Sequence, residues 1–175
     1  MQPNHPIPNS YWVRPGELLA GEYPGAWDDE ASRERLRLLL NVGVSLFLDL
    51  TQAGEYGLEP YARTLEEETA AIGRKVVHLR MAIRDRGTPS PELMRHILDT
   101  IDAALVEDRT VYVHCYAGIG RTGTVVGCHL VRHGISGEEA LSEIARLRRD
   151  ISDGWITSPE TAAQRGMVRD WLVGE

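Results

Sequence analysis

The chain has 175 residues, 42% of them hydrophobic with a single Phe, and a formal net charge of −7. That length is enough for one domain with a substantial core, and the acidic balance argues against nucleic acid and anionic membranes as general partners. There is no run of about 18 apolar residues, so no transmembrane helix is expected. Two cysteines make no disulfide framework, and a reducing, cytoplasmic setting is the default expectation.

Residues 1–9 read as an extended or disordered lead-in, because Pro3, Pro6 and Pro8 prevent regular pairing. No basic stretch precedes an apolar run there, so no secretory signal is expected. Tyr11 to Val13 and Glu17 to Ala20 have strand character on either side of the Pro15-Gly16 turn, which predicts an antiparallel hairpin. Asp28 or Asp29 can cap a helix with Ala31, Leu36, Leu39 and Leu40 on its apolar side, ending near Gly43. Ser45 to Leu50 then reads as a buried strand. Asp49 within it either faces a pocket or bonds the following loop, the commoner duty of an aspartate at a strand end.

After a loop from Thr51 to Pro60, Tyr61 to Ile72 predicts a short helix whose Glu66, Glu67 and Glu68 form a solvated face. Lys75 to Leu79 gives another strand, and Met81 to Ser90 a loop. Ser90 caps a helix with Pro91 in its first turn; Leu93, Ile97, Ile101 and Leu105 make its apolar stripe, with Met94 and Leu98 beside it. Thr122 to His133 reads as a mostly buried helix, and Ser136 with Glu139 as a capping box for the next. Ser158-Pro159-Glu160 predicts the start of a final helix running to about Val173. Strands alternating with helices imply an α/β fold: a central, mostly parallel sheet flanked by helices, in one domain over 1–175. Its functional site then lies at the C-terminal ends of the strands.

The densest chemistry lies between Thr110 and Thr124. An apolar strand runs into His114 and Cys115, then Tyr116, Ala117, Gly118, Ile119 and Gly120, then Arg121, Thr122 and a helix. A loop of inward-pointing amides ahead of a helix N-terminus binds anions. Cys115 sits in the same positive field, which favours its thiolate. Arg121 offers a planar fork to two phosphate oxygens. Two other readings compete. Gly118, Gly120 and Gly123 also match a dinucleotide-binding fingerprint, but the acidic residues downstream, Glu138, Glu139 and Glu143, fall in a helical pattern rather than at a strand end. A merely buried cysteine would leave the arginine and three glycines without a reason.

His114 and Cys115 followed by Arg121 and Thr122 resemble the signature of the cysteine-dependent protein tyrosine phosphatase superfamily, and Ala117 to Gly123 is close to its tyrosine-specific branch. Tyr116 departs from the serine usual there. The resemblance implies a phosphatase-like fold, with the catalytic loop between a central strand and a helix, and a cysteinyl-phosphate intermediate. Residues 116–121 would then bind phosphate. Asp85, 30 positions before Cys115 in a loop broken by Gly87 and Pro89, matches the general acid by position and chemistry, although Ile83-Arg84 replaces the branch's Trp-Pro. His114, facing away from the sulfur's side of the strand, would tune Cys115 by hydrogen bonding. Thr122 would place its hydroxyl near the sulfur, and Gln164 resembles the family's glutamine that orients the hydrolytic water.

No metal or other cofactor is expected, because loop amides and Arg121 take the positions a cation would serve. The histidines His5, His78, His96, His114, His129 and His133 show no ligand spacing with acids or Cys. The expected partners are phosphorylated proteins, bearing phosphotyrosine and also phosphoserine or phosphothreonine. An inositol phosphate or phosphoinositide phosphatase shares the signature, as does a pseudophosphatase that only binds phosphorylated proteins. The uncharged Tyr116, Ala117 and Ile119 speak against the lipid reading, and Arg84 and Arg86 for it.

Overall fold

The structure, a computed structural model, describes residues 5–175. One sheet carries the strands in the order β1-β2-β5-β3-β4. These are β1 Ser10–Arg14, β2 Leu18–Gly21, β3 Val44–Asp49, β4 Val77–Arg80 and β5 Thr110–His114. The β1–β2 hairpin is antiparallel, and β2–β5, β5–β3 and β3–β4 pair in parallel. Helices α1 Asp29–Asn41, α2 Ala62–Ala71, α3 Pro91–Val106, α4 Gly120–Arg132, α5 Gly137–Leu147 and α6 Ala162–Asp170 complete the fold.

A central parallel strand must be apolar on both faces, and β5 is. Val111, Val113 and then Cys115 enter a large core with α3, α4, α5 and α6, whereas Tyr112 enters a smaller one with Leu36 and Leu39 of α1, Phe47 of β3 and Leu65 of α2. The same period of two sends Leu46 and Leu48 one way and Phe47 the other. His114 and Cys115 therefore leave the end of β5 in opposite directions, beside the ends of β2 and β3.

The helix starts use local side chains. Asp28 accepts from the Ala31 amide at 3.0 Å, Ser90 from Leu93 at 3.2 Å, and Ser136 and Glu139 form the reciprocal box.

Four expectations need correction. Residues 1–4 of the lead-in lie outside the described residues, but Ile7 is 1% exposed in the smaller core, and the Ser10 hydroxyl donates to its carbonyl at 2.8 Å. Prolines exclude strand pairing there without excluding docking. Glu68 is buried rather than solvated: it accepts from Arg37 at 2.7 Å and Arg33 at 3.0 Å, joining α2 to α1. On α3 the buried stripe is Met94, Ile97, Leu98 and Ile101, with Leu93 and Leu105 only half-buried. The last helix starts at Ala162, capped by Thr161, not at Ser158. Ser158 is instead buried under the loop after β5, its hydroxyl donating to the Ile119 carbonyl at 2.7 Å.

Candidate active site

The loop after β5 is held open by backbone contacts. Tyr23 donates its amide to the Tyr116 carbonyl and Leu50 to that of His114, each at 2.9 Å. Gly118 adopts φ +71°, and a Cβ there would lie 2.5 Å from the Gly21 carbonyl carbon, so only glycine fits. At Gly123 a Cβ would meet the Ser158 hydroxyl at 2.2 Å; the missing side chain lets Ser158 reach the loop. Cys115 is 3% exposed. It lines a cavity of about 410 Å³ together with Tyr56, Asp85, Arg86, Tyr116, Ala117, Ile119, Gly120, Arg121, Ile156 and Glu160.

Arg121 comes to this cavity already paired through both of its Nη atoms. Its Nη1 donates to Glu55 Oε2 at 2.8 Å and to the Ile83 carbonyl at 3.0 Å, and its Nη2 donates to Glu55 Oε1 at 2.6 Å. Asp85 Oδ1 lies 3.1 Å from Nη2. Burial works to lower the Arg121 pKa, but the Glu55 bonds and the nearby charges outweigh it and raise it. Asp85 also accepts from the Tyr56 hydroxyl, and the Tyr56 ring lies 5.0 Å from that of Tyr116. The two rings form an aromatic rim.

His114 faces the smaller core, as its parity requires. Its Nε2 lies 2.7 Å from the Tyr61 hydroxyl and its Nδ1 3.3 Å from the Cys115 carbonyl. Burial lowers its pKa to about 4, so the ring is neutral near pH 7. A neutral ring satisfies both contacts when Nδ1 donates to the carbonyl and Nε2 accepts from Tyr61. The contact is to the backbone of Cys115 rather than to its sulfur.

Asp49 takes the structural one of its two readings. Fully buried, it accepts from the Thr51 amide at 2.9 Å, the Thr51 hydroxyl at 2.6 Å and Arg80 Nη2 at 3.0 Å. Burial works to raise its carboxyl, but His78, His114 and Thr51 outweigh it and hold it below the usual carboxylate range.

Gln164 is not a surface glutamine. It is fully buried, accepts from the Thr161 amide at 3.0 Å to close the capping box of α6, and donates to the Gly87 carbonyl at 3.0 Å. It thus joins α6 to the loop bearing Asp85, packed against Gly120. Thr122 is buried and its hydroxyl donates to the Gly21 carbonyl at 3.4 Å, tying α4 to β2.

Four contributors were missed in the sequence: Glu55, Tyr56, Ser158 and Arg148. Arg148, 1% exposed, donates to the carbonyls of Ile156 at 2.6 Å and Asp153 at 3.1 Å, and so holds the segment that brings Ile156 to the cavity. Cys128 is fully buried in the large core, and burial pushes its thiol up to about 12. The absence of a ligand spacing along the sequence does not keep three such groups apart in the fold. His129, His133 and Asp102 come together, away from the cavity.

A cysteine sulfur, an arginine fork and a carboxyl group thus share one cavity at the mouth of a strand-loop-helix. The family model described as "Polymorphic toxin system, DSP-PTPase phosphatase" matches residues 23–135. This chain belongs to the DSP-PTPase family. Its membership places it in the cysteine-dependent tyrosine and dual-specificity phosphatase superfamily. It is 27% identical over 88 residues to the tyrosine-protein phosphatase CDC14 of Candida albicans, covering 50% of this chain and 16% of that protein. It is 34% identical over 94 residues to the Arabidopsis thaliana "Phosphatidylinositol 3,4,5-trisphosphate 3-phosphatase and protein-tyrosine-phosphatase PTEN1", covering 53% of this chain and 22% of that one. The DSP-PTPase chain therefore spans less than a quarter of either relative. Its fold matches the crystal structure of Tk-PTP in the active form, with a TM-score of 0.69 and 25% identity, covering 94% of this chain and 96% of that one.

Proposed function

We propose that this DSP-PTPase hydrolyses phosphotyrosine in protein substrates through a cysteinyl-phosphate intermediate. The observation that carries this reading is the convergence of Cys115, Arg121 and Asp85 on one cavity rimmed by Tyr56 and Tyr116. In the first step the Cys115 sulfur attacks phosphorus and the bond to the phenolic oxygen breaks. Arg121 and the loop amides of residues 116–121 hold the equatorial oxygens, and protonated Asp85 gives its proton to the leaving oxygen. In the second, water attacks phosphorus, its proton passes to Asp85, and the sulfur leaves, with Thr122 at the start of α4 beneath the loop.

Glu55 occupies the Nη1–Nη2 edge of Arg121, which leaves the Nε side for phosphate. His114 acts by fixing the Cys115 carbonyl, and Gln164 by holding the Asp85 loop toward Gly120, where the hydrolytic water would enter. Charge favours a single phosphate. Arg86 pairs with Glu160 at 3.2 Å, and Arg121 with Glu55 and Asp85, so the cavity offers no surplus of cations to an inositol polyphosphate. The test is a panel of phosphotyrosine, phosphoserine and phosphothreonine peptides against inositol phosphates. Faster turnover of phosphotyrosine peptides is expected. Preference for the inositol phosphates would transfer the assignment to lipid headgroups, and no turnover at all to a phosphoprotein-binding role.

A further inference from the structure

A second cluster of reactive groups lies where the C-terminal end of α4 meets α3. His129 and His133, four residues apart, share one face of α4. Asp102 on α3 meets both, with its Oδ1 3.0 Å from His133 Nε2 and 3.7 Å from His129 Nδ1. One ligand atom from each of the three lies within 4.8 Å of the other two. The imidazole centroids are 4.4 Å apart.

His129 is 1% exposed, and its Nδ1 is buried without a hydrogen-bond partner. Buried polar atoms are rarely left so, and this one is directed at the carboxylate. Asp102 Oδ2 accepts from Arg132 Nη1 at 3.1 Å, and the same nitrogen donates to Asp99 at 2.8 Å. The carboxylate is thereby oriented from behind, with Oδ1 turned to the imidazoles. Arg14 and Arg132 are the positive groups near His129. Against them stand Asp99, Asp102 and the negative end of the α4 dipole. His133, with 47% of its side chain exposed, leaves an entry path.

We propose that Asp102, His129 and His133 bind a divalent first-row transition ion of the zinc type, which clamps α3 to α4. Bonds of about 2.0–2.1 Å in a tetrahedral site put ligand atoms about 3.3 Å apart, between the two separations seen here. Two imidazoles and one carboxylate suit zinc, nickel or copper rather than magnesium or calcium, and leave a fourth position for water. Binding requires His133 to carry its proton on Nδ1. The site lies about 14 Å along α4 from Gly120, at 1.5 Å per residue. The ion therefore acts on the helix that carries Arg121, not on the reacting phosphate.

The experiment titrates the protein with Zn2+ alone, and separately with Co2+, in a Cys115→Ser background so that the active-site thiol cannot bind the metal. One equivalent of Zn2+ should bind, the melting temperature should rise with Zn2+ concentration, and bound Co2+ should show nitrogen and oxygen ligation without a thiolate band. His133→Gln, at an exposed position that leaves the fold intact, should weaken Zn2+ binding by at least about a hundredfold. Asp102→Asn should do the same. In the otherwise native chain, His133→Gln should retain aryl phosphatase turnover. Absence of Zn2+ binding, or an affinity unchanged by His133→Gln, would overturn the proposal.

Discussion

Glu55 meets Arg121 with both carboxylate oxygens, at 2.6 and 2.8 Å, in a pair whose side chains are 9% and 2% exposed. A guanidinium this buried needs a counter-charge, and removing one partner of a buried pair costs about 3–5 kcal/mol. Glu55→Ala should therefore melt well below the native chain in phosphate-free buffer, and phosphate, binding the Nε side of Arg121, should restore part of the loss by supplying the missing counter-charge. Thermal scans with and without phosphate measure both. Equal stabilisation of variant and native protein by phosphate would mean that the anion does not sit on Arg121.

Asp85 is tested through the leaving group. A phenolic oxygen of high pKa needs a proton to depart, and p-nitrophenolate does not. Asp85→Asn should slow phosphotyrosine hydrolysis far more than p-nitrophenyl phosphate hydrolysis, read as the ratio of kcat/KM values. Tyr56→Phe removes the hydroxyl that donates to Asp85 and should produce the same selectivity on a smaller scale. Equal losses on both substrates would make Asp85 a loop-holding residue. Asp49 is no substitute, because Thr51, His78 and Arg80 occupy its carboxylate.

Gly118→Ala forces a side chain into a left-handed backbone position, at about 1–2 kcal/mol, and into contact with Gly21 and Glu22. The loop must shift. Phosphate affinity measured by calorimetry should fall at least about tenfold, equivalent to about 1.4 kcal/mol in binding, while the far-UV spectrum stays native. Unchanged affinity would show that the loop tolerates another path.

What was legible in the sequence is what is local in the fold. Asp28, Ser90 and Ser136 each cap an amide three residues on, and the sequence from His114 to Thr122 is itself the loop. Glu55 and Tyr56 reach Arg121 and Asp85 across 66 and 29 residues, through loops without any periodic pattern. Arg148 looked like one more charge at a helix end. Thr161 and Gln164 did carry a capping-box signal, but Ser158-Pro159-Glu160, three residues earlier, imitates a helix start more strongly. His129 and His133 are spaced for a shared ligand, yet their carboxylate partner comes from another helix.

Two buried histidines set a pH dependence of stability. His114 and His129 both have their pKa lowered by burial from 6.5 to about 4. The unfolded chain takes up these protons as pH falls through 6.5, and the folded chain only near 4. Between those values the unfolded state binds more protons, so stability falls as pH falls. Above the unfolded value neither group contributes. The loss is at most about 3 kcal/mol for each. Urea midpoints between about pH 7.5 and 4.5 should drop steeply, and His129→Leu should reduce the slope by about one proton. A flat profile in the native chain would mean that both rings are already charged when folded.

The central claim is that phosphate passes through the sulfur of Cys115. Acid quenching during turnover of a phosphotyrosine peptide, followed by mass spectrometry of the Cys115 peptide, tests it directly. A phosphoryl group on Cys115 is predicted, accumulating during the reaction and absent from Cys115→Ser, which should bind phosphate without steady turnover. A phosphoryl group on any other side chain, or steady turnover by Cys115→Ser, would contradict the account.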